Sequence, residues 1–413
     1  MEKTIIKTSL KRLVKVKITD GPHVSPDLVE EGIPFVSVES VVDGKIDFNK
    51  KRGNINKEVH NIFCLKAKPQ FGDIFIVKSG STTGKIAIVD TYDEFSIWSP
   101  LALIRSNDLI CNKLLYYILQ SSLFQLQIQQ YWSFGTQPNI GMNKIEQLQV
   151  EFPKSKYVQS KIVEYLDTQS EKINHFIQKK QRFIELLKEQ RQSIINYAVT
   201  KGEDKWISKR LKFIADLKFS NVDKNTKEDE ISVRLCNYVD VYKNDYISNN
   251  IDFMNATATE SEIEKFKVLK GDVIITKDSE EASDIAVPAF VKEDLENVVC
   301  GYHLALIRAD ETQVLSEYLF RVFQSRKVNS HFEVEATGVT RVGLSLDDIS
   351  TVRIAFPKSI KEQQEIITYI KTETQTIDTA ITKAEKEIEL IKEYKEAMIA
   401  EAVMGKVNLI AKL

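Results

Sequence analysis

Phe-Pro-Lys-Ser-Lys-Tyr-Val-Gln-Ser-Lys-Ile-Val-Glu-Tyr-Leu-Asp-Thr, residues 152–168, returns as Phe-Pro-Lys-Ser-Ile-Lys-Glu-Gln-Gln-Glu-Ile-Ile-Thr-Tyr-Ile-Lys-Thr, residues 356–372. The offset of 204 positions then holds without a gap: Ile173, Ile177, Lys179, Ile184, Lys188, Glu189, Ile195, Ala198 and Val199 recur as Ile377, Ile381, Lys383, Ile388, Lys392, Glu393, Ile399, Ala402 and Val403. Stepping alternately four and three residues picks out an apolar seam in each copy. Leu166, Ile173, Ile177, Ile184, Leu187 and Ile194 form the first, and Ile370, Ile377, Ile381, Ile388, Ile391 and Met398 the second. A period near 3.5 is that of a coiled coil. No proline lies between Pro153 and Pro288, or after Pro357, to interrupt either stretch. Each copy is therefore expected to be one helix of roughly 40 residues, about 60 Å long at ~1.5 Å per residue. The plain alternative, two unrelated exposed helices, leaves the matched register unexplained.

Outward from the helices, the rest of the chain also repeats. Arg12-Leu13 matches Arg210-Leu211, and Gly72-Asp73 matches Gly271-Asp272. Leu-Ala-Leu-Ile-Arg occurs at 101–105 and again at 304–308, and Gln120-Ser121 recurs as Gln324-Ser325. Apolar runs such as 74–77, 86–89 and 101–105 read as short strands, and Asp43-Gly44 as a hairpin turn. Residues 112–131 read as a helix with Leu115, Ile118, Leu119, Leu123 and Leu126 on one side. The expected plan is α+β: two similar mixed domains, 1–151 and 203–355, the first followed by a long helix, 152–202, and the second by a long helix with a C-terminal tail, 356–413.

Bulk properties narrow the function. The 413 residues carry a formal charge of −2, so any nucleic-acid role requires local basic patches balanced by acidic surface elsewhere. Cys64, Cys111, Cys236 and Cys300 form no Cys-x-x-Cys pair, which points away from a zinc site and a disulfide framework. Neither a signal peptide nor an apolar run long enough to cross a membrane is visible, so a cytoplasmic protein without a membrane partner is expected.

Ser79-Gly80-Ser81-Thr82-Thr83-Gly84-Lys85 invites a phosphate-loop reading. Its glycine spacing is one residue short, Ile86 replaces the magnesium-binding hydroxyl, and a strand rather than a helix follows. His23, His60, His175, His303 and His331 have no metal-ligand spacing, and no Asn-Pro-Pro-aromatic or Gly-x-Gly-x-x-Gly stretch exists. The chain reads as non-catalytic, with no cofactor and no metal of its own.

What remains is a set of polar loops after equivalent strands. In the first half these are Asp20 and His23; Lys78, Ser79, Ser81, Thr82, Thr83 and Lys85; and Thr136, Gln137 and Asn139. In the second they are Lys277, Asp278 and Ser279; Tyr302 and His303; and Thr340 and Arg341. Lys and Arg suit phosphate or guanine, Asn and Gln suit adenine edges, and carboxylates accept from cytosine. One scaffold carrying two different loop sets suggests one task applied to two targets. Two rivals stand beside this reading: a coiled-coil adaptor that binds only proteins, and a self-sufficient DNA-modifying enzyme.

In the order Asp20-Gly21-Pro22-His23, Gly32-Ile-Pro-Phe35, the Gly-Asp strands, the Ser79–Lys85 loop, Gly301-Tyr302-His303-Leu304-Ala305-Leu306 and the Phe-Pro helix pair, the whole chain resembles the specificity subunit of Type I restriction-modification enzymes. The second half lacks the Gly-Ser-Thr-Thr-Gly loop. The resemblance implies two target-recognition domains reading a split, asymmetric sequence in double-stranded DNA, with the long helices paired as an antiparallel coiled coil under pseudo-two-fold symmetry. It further implies two methyltransferase subunits using S-adenosylmethionine, and restriction subunits using ATP and Mg.

Overall fold

A computed structural model describes residues 5–134 and 137–406. Thr136 therefore lies outside the described residues. The chain divides into two compact units, residues 1–180 with 386–413, and residues 181–385. Both cuts fall inside long helices, Lys156–Thr200 and Ile360–Val403.

In the first unit, Ile5–Ser9 pairs antiparallel with Gln149–Pro153 and so closes the domain at the point where the first long helix begins. A four-stranded sheet has the order Thr19–Asp20, Leu101–Ile104, Ile74–Val77, Ile86–Ile88. A second sheet pairs Ile33–Val36 antiparallel with Gly53–Ile55 and parallel with Ser96–Ile97. Strand alternation explains why the central strands are uninterrupted apolar runs. Ile74, Ile76, Ala102 and Ile104 join the core under the helices, while Phe75, Val77, Leu101 and Leu103 join a second core on the opposite face. Asp43 and Gly44 both take positive φ, 48° and 80°, and turn the hairpin Val41–Val42/Lys45–Ile46.

The second unit keeps the plan with more strands. Ile207–Arg210 pairs with Arg353–Phe356, a five-stranded sheet is built around Leu304–Ala309 and Val273–Thr276, and a three-stranded sheet is centred on Ile231–Cys236. Val273, Ile275, Ala305 and Ile307 again face one core, and Ile274, Leu304 and Leu306 the other.

Two repeated sequence features acquire a physical reason. Asp73 accepts from Arg105 Nε and Nη2, both at 2.7 Å, and Asp272 accepts from Arg308 Nε and Nη2, both at 2.8 Å. Each carboxylate is 1% exposed, so the Gly-Asp turn and the Leu-Ala-Leu-Ile-Arg strand are two ends of one bidentate ion pair. The preceding Gly72 and Gly271 have φ of 86° and 91°, a region that a side chain would strain. Gln159 and Gln363, both fully buried, are the second case. Gln159 accepts from the Cys111 N–H (2.7 Å) and donates to the carbonyls of Pro153 (2.8 Å) and Leu109 (3.3 Å). Gln363 repeats this with the Leu315 N–H (2.8 Å) and the Pro357 and Gln313 carbonyls (both 2.9 Å). One amide thus ties each long helix to the domain before it.

The long helices run antiparallel within each unit. In the first unit Lys395 donates to Asn174 (2.9 Å) and Lys180 pairs with Glu387; in the second, Arg191 meets Asp378 (2.7 Å) and Lys188 meets Glu385 (3.9 Å). As one residue number rises its partner's falls. All twelve seam residues are buried or half-buried. The helix ends do more than pair. Met398, Ile399, Ala402 and Val403 enter the first unit's core beside Ile162, Leu166 and Ile173. Ile195, Ala198 and Val199 enter the second beside Ile366, Ile367 and Ile370.

One expectation is corrected. Residues 112–131 form two helices, Asn112–Gln120 and Ser122–Gln130, and Leu123 and Leu126 are exposed while Phe124 and Ile128 are buried. Ser121 takes extended backbone angles and its Oγ donates to the Ile118 carbonyl at 2.6 Å, ending the first helix and turning the second. Ser325 does the same with Val322, also at 2.6 Å.

Candidate nucleic-acid interface

The candidate loops of each half meet where the central strands end. In the first half Lys78 follows strand Ile74–Val77; its N–H donates to the Pro100 carbonyl and its carbonyl accepts from the Ile140 N–H, both at 2.8 Å. Ser79 bridges Asn139. The Pro138 carbonyl accepts from the Gly80 N–H (3.1 Å) and from Thr83 Oγ1 (3.0 Å), which locks the small-residue loop onto the hairpin Ser133–Phe134/Pro138–Asn139. The loop is the turn of an antiparallel hairpin, 74–77 with 86–88, and opens no helix, so the phosphate-loop geometry is missing. Asp20, His23, Lys78, Ser79, Thr83 and Asn139 are thereby brought together. Ser81, Lys85 and Gln137 are exposed beside them and Thr82 is half-buried.

Asp20 organises this corner. It binds Lys78 (2.7 Å), Lys66, and His23 Nε2 (3.3 Å). Burial would raise its carboxyl, but Lys66 and Lys78 outweigh that and hold it below the usual aspartate value. Lys78, only 14% exposed and committed to Asp20, is a framework cation rather than a free phosphate contact. Lys85 is exposed and makes no ion pair among the described residues. Lys66, on the helix Lys57–Lys66, was not signalled by any motif because its partner lies 46 residues away.

The second half has the same backbone and different chemistry. The Lys277 N–H donates to the His303 carbonyl (3.0 Å) and its carbonyl accepts from the Leu344 N–H (2.9 Å). Its ammonium binds Asp278 (2.6 Å) and lies over Phe219 at 5.5 Å. Phe219 opposes Ala305 as Asp20 opposes Ala102, so a phenyl ring stands where the first half has its carboxylate. His303 Nδ1 meets Asp278 at 2.7 Å, Tyr302 packs on the His303 ring at 3.8 Å, and Arg341 reaches His303 Nε2 at 3.5 Å. Asp278–Ser279 pairs with Val342–Gly343, and Ser279 is buried. Thr340 is exposed next to Arg341.

Asp278, Ser279, Tyr302, His303 and Arg341 line a pocket of about 540 Å³ together with Tyr238, Tyr242, Glu280, Glu281 and Asp284. None of these five was singled out from the sequence. Tyr238 and Tyr242 stack at 5.4 Å on a short helix opened by an Asn237/Asp240 capping box, so an i,i+4 aromatic pair behind that box was the available signal. Tyr242 donates to Asp284, which pushes its hydroxyl up to about 12.

Among the described residues no group of three or more His, Cys, Asp or Glu could hold a metal. Cys64 and His60 touch at 3.5 Å on one helix, but burial raises the thiol and lowers the imidazole, the reverse of an activated nucleophile. Cys236 and Cys300, far apart in sequence, are register neighbours in a parallel strand pair and are both buried free thiols.

A duplicated scaffold that holds two unlike loop sets at equivalent strand ends defines a paired recognition protein. The chain belongs to the Type I restriction modification DNA specificity domain family, whose model matches it twice, over residues 9–186 and 203–390. It is 24% identical over 403 residues to the Type I restriction enzyme EcoKI specificity subunit of Escherichia coli K12, covering 92% of this chain and 84% of that one. Its fold matches a solved chain from a study of complex assembly and conformational transition of the type I R-M system, with TM-score 0.65, 12% identity and 98% of both chains covered. It also aligns with the S subunit from M. genitalium at TM-score 0.41 and 15% identity, over 97% of this chain and 96% of that one. Recognition of DNA sequence is accordingly the role of this chain.

Proposed function

We propose that the two loop sets read the two halves of one bipartite, asymmetric site in double-stranded DNA, and that the chain delivers modification and restriction subunits to it. The observation that carries this reading is the substitution of chemistry on an unchanged frame. Lys78 and Lys277 share their backbone bonds, yet one is held by Asp20 and the other by Asp278 over Phe219. Exposed loop cations such as Lys85 would engage phosphate and fix register, while the remaining loop side chains would meet base edges. Two methyltransferase subunits would dock on the long helices. S-adenosylmethionine, ATP and Mg would belong to the partners, with this chain non-catalytic and cytoplasmic.

The test is adenine methylation across the host genome with and without this gene. Loss of a single two-part methylated motif is expected. Methylation or cleavage by the purified chain alone would instead favour a self-sufficient enzyme. Absence of sequence-selective DNA binding even with the modification subunits present would favour a protein adaptor.

A further inference from the structure

We propose that Arg341 and Gln137 occupy the same place in the two halves and each set one base: Arg341 a guanine in one half-site, Gln137 an adenine in the other. This rests on the DNA-reading role given above and assigns the bases to residues.

The equivalence is structural. Ser133 pairs with Asn139, and Thr337 bridges Gly343. Just beyond, the Ile140 N–H donates to the Lys78 carbonyl and the Leu344 N–H to the Lys277 carbonyl. Gln137 and Arg341 therefore stand three residues before the equivalent anchoring residues Ile140 and Leu344, at the offset of 204 found in the helices.

Arg341 is presented on a fixed platform. Its loop is closed by reciprocal backbone hydrogen bonds, Thr337 N–H to the Gly343 carbonyl (3.2 Å) and Gly343 N–H to the Thr337 carbonyl (2.9 Å). Gly338 has φ of +149°, and a Cβ there would meet the Arg341 carbonyl oxygen at 1.9 Å, so the loop closes on a residue that must lack a side chain. His303 steadies the guanidinium. With Nδ1–H donating to Asp278 (2.7 Å), Nε2 carries the free lone pair that accepts from Arg341 (3.5 Å). The remaining guanidinium N–H groups of this exposed side chain have no partner among the described residues. Two parallel N–H donors match guanine O6 and N7 in the major groove.

The surroundings distinguish a base from a phosphate. Asp278, Glu280, Glu281 and Asp284 line the same pocket. That much negative charge repels a phosphate, whereas it accommodates a G·C edge, whose cytosine N4 amino group is a donor. Gln137 has an exposed amide on a hairpin pinned by Gly80 and Thr83 to the Pro138 carbonyl. An amide's donor and acceptor match adenine N7 and N6.

The experiment reads methylated motifs in the host carrying wild-type, R341Q or Q137R genes, then measures binding by the assembled complex. R341Q should convert or relax one G·C position in one half-site and leave the other half and the spacer unchanged. Q137R should act on one A·T position in the other half. In wild-type complex, replacing the guanines of the first of these half-sites one at a time by 7-deazaguanine should weaken binding about tenfold to a hundredfold at a single position. With R341A that replacement should cost nothing further. An unchanged motif in R341Q, a wild-type site whose halves contain no G·C pair, or equal sensitivity of R341A to the deaza substitution would each overturn the assignment while leaving the recognition role intact. Loss of the modification subunit from R341A would also overturn it, marking Arg341 as a protein contact. A wild-type complex without any sequence preference would bring down the recognition role and the assignment together.

Discussion

At the scale of single residues, the molecule is held by a few polar groups that each satisfy several partners at once. Asp73→Ala would strand Arg105 and remove the acceptor of the Gln70 N–H. Because the carboxylate is buried and the guanidinium partly so, a loss of about 3 kcal/mol is expected in chemical denaturation, and Asp272→Ala should match it in the second unit. Asp20 makes a pH-dependent contribution. Its folded-state value lies below the ordinary 3.8, so the stabilisation is complete above that value and is lost as pH falls below it through the folded value. The stability gap between wild type and Asp20→Asn should thus be flat near neutrality and close under acid; a gap that widened there would contradict the Lys66–Lys78 arrangement. Lys85→Ala should reduce the dependence of log binding on log salt by about one unit if Lys85 meets phosphate. These residues show where sequence reading stops. The repeats advertised Asp73, Arg105 and Gln159, but nothing local says that Asp73 and Arg105, 32 positions apart, are partners. Lys78 reads in the sequence as one more loop cation, and only the fold brings Asp20 to within 2.7 Å of it.

At the scale of elements, the sequence was most readable where a period was long and a turn needed a special backbone. The two helices, the Asp43-Gly44 hairpin and the buried central strands all follow from patterns that local sterics and burial impose. The helix expected over 112–131 failed at Ser121 because a serine hydroxyl that captures the Ile118 carbonyl leaves the apolar spacing nearly intact. The sharing of helix ends was hidden for a different reason. Ile195 and Ile399 repeat at the common offset, yet periodicity cannot say which core receives them. Ile195→Ala should cost about 3 kcal/mol and lower hydrogen-exchange protection in Val273–Thr276 and Leu304–Ala309 of the second unit. Ile399→Ala should do so in Ile74–Val77 and Leu101–Ile104 of the first.

At the scale of the whole molecule, the helices are expected to set the distance between half-sites. Removing seven residues from each keeps the 3.5-residue seam in phase while shortening each helix by about 10 Å. That corresponds to roughly three base pairs at ~3.4 Å each. The methylated motif of such a variant should keep both half-sites and lose about three spacer bases; an unchanged spacer would mean that the helices do not measure it.

The packing of Met398, Ile399, Ala402 and Val403 into the first unit also bears on how the protein is born. A ribosome finishes residues 1–180 long before it makes these four, so the first unit leaves the exit tunnel with a gap in its core. The second unit has no such delay: Ile195, Ala198 and Val199 are already waiting when Ile366, Ile367 and Ile370 arrive. The half of the chain translated first is therefore completed last, and during that interval its unfilled apolar cleft is the part of the molecule most in need of a chaperone.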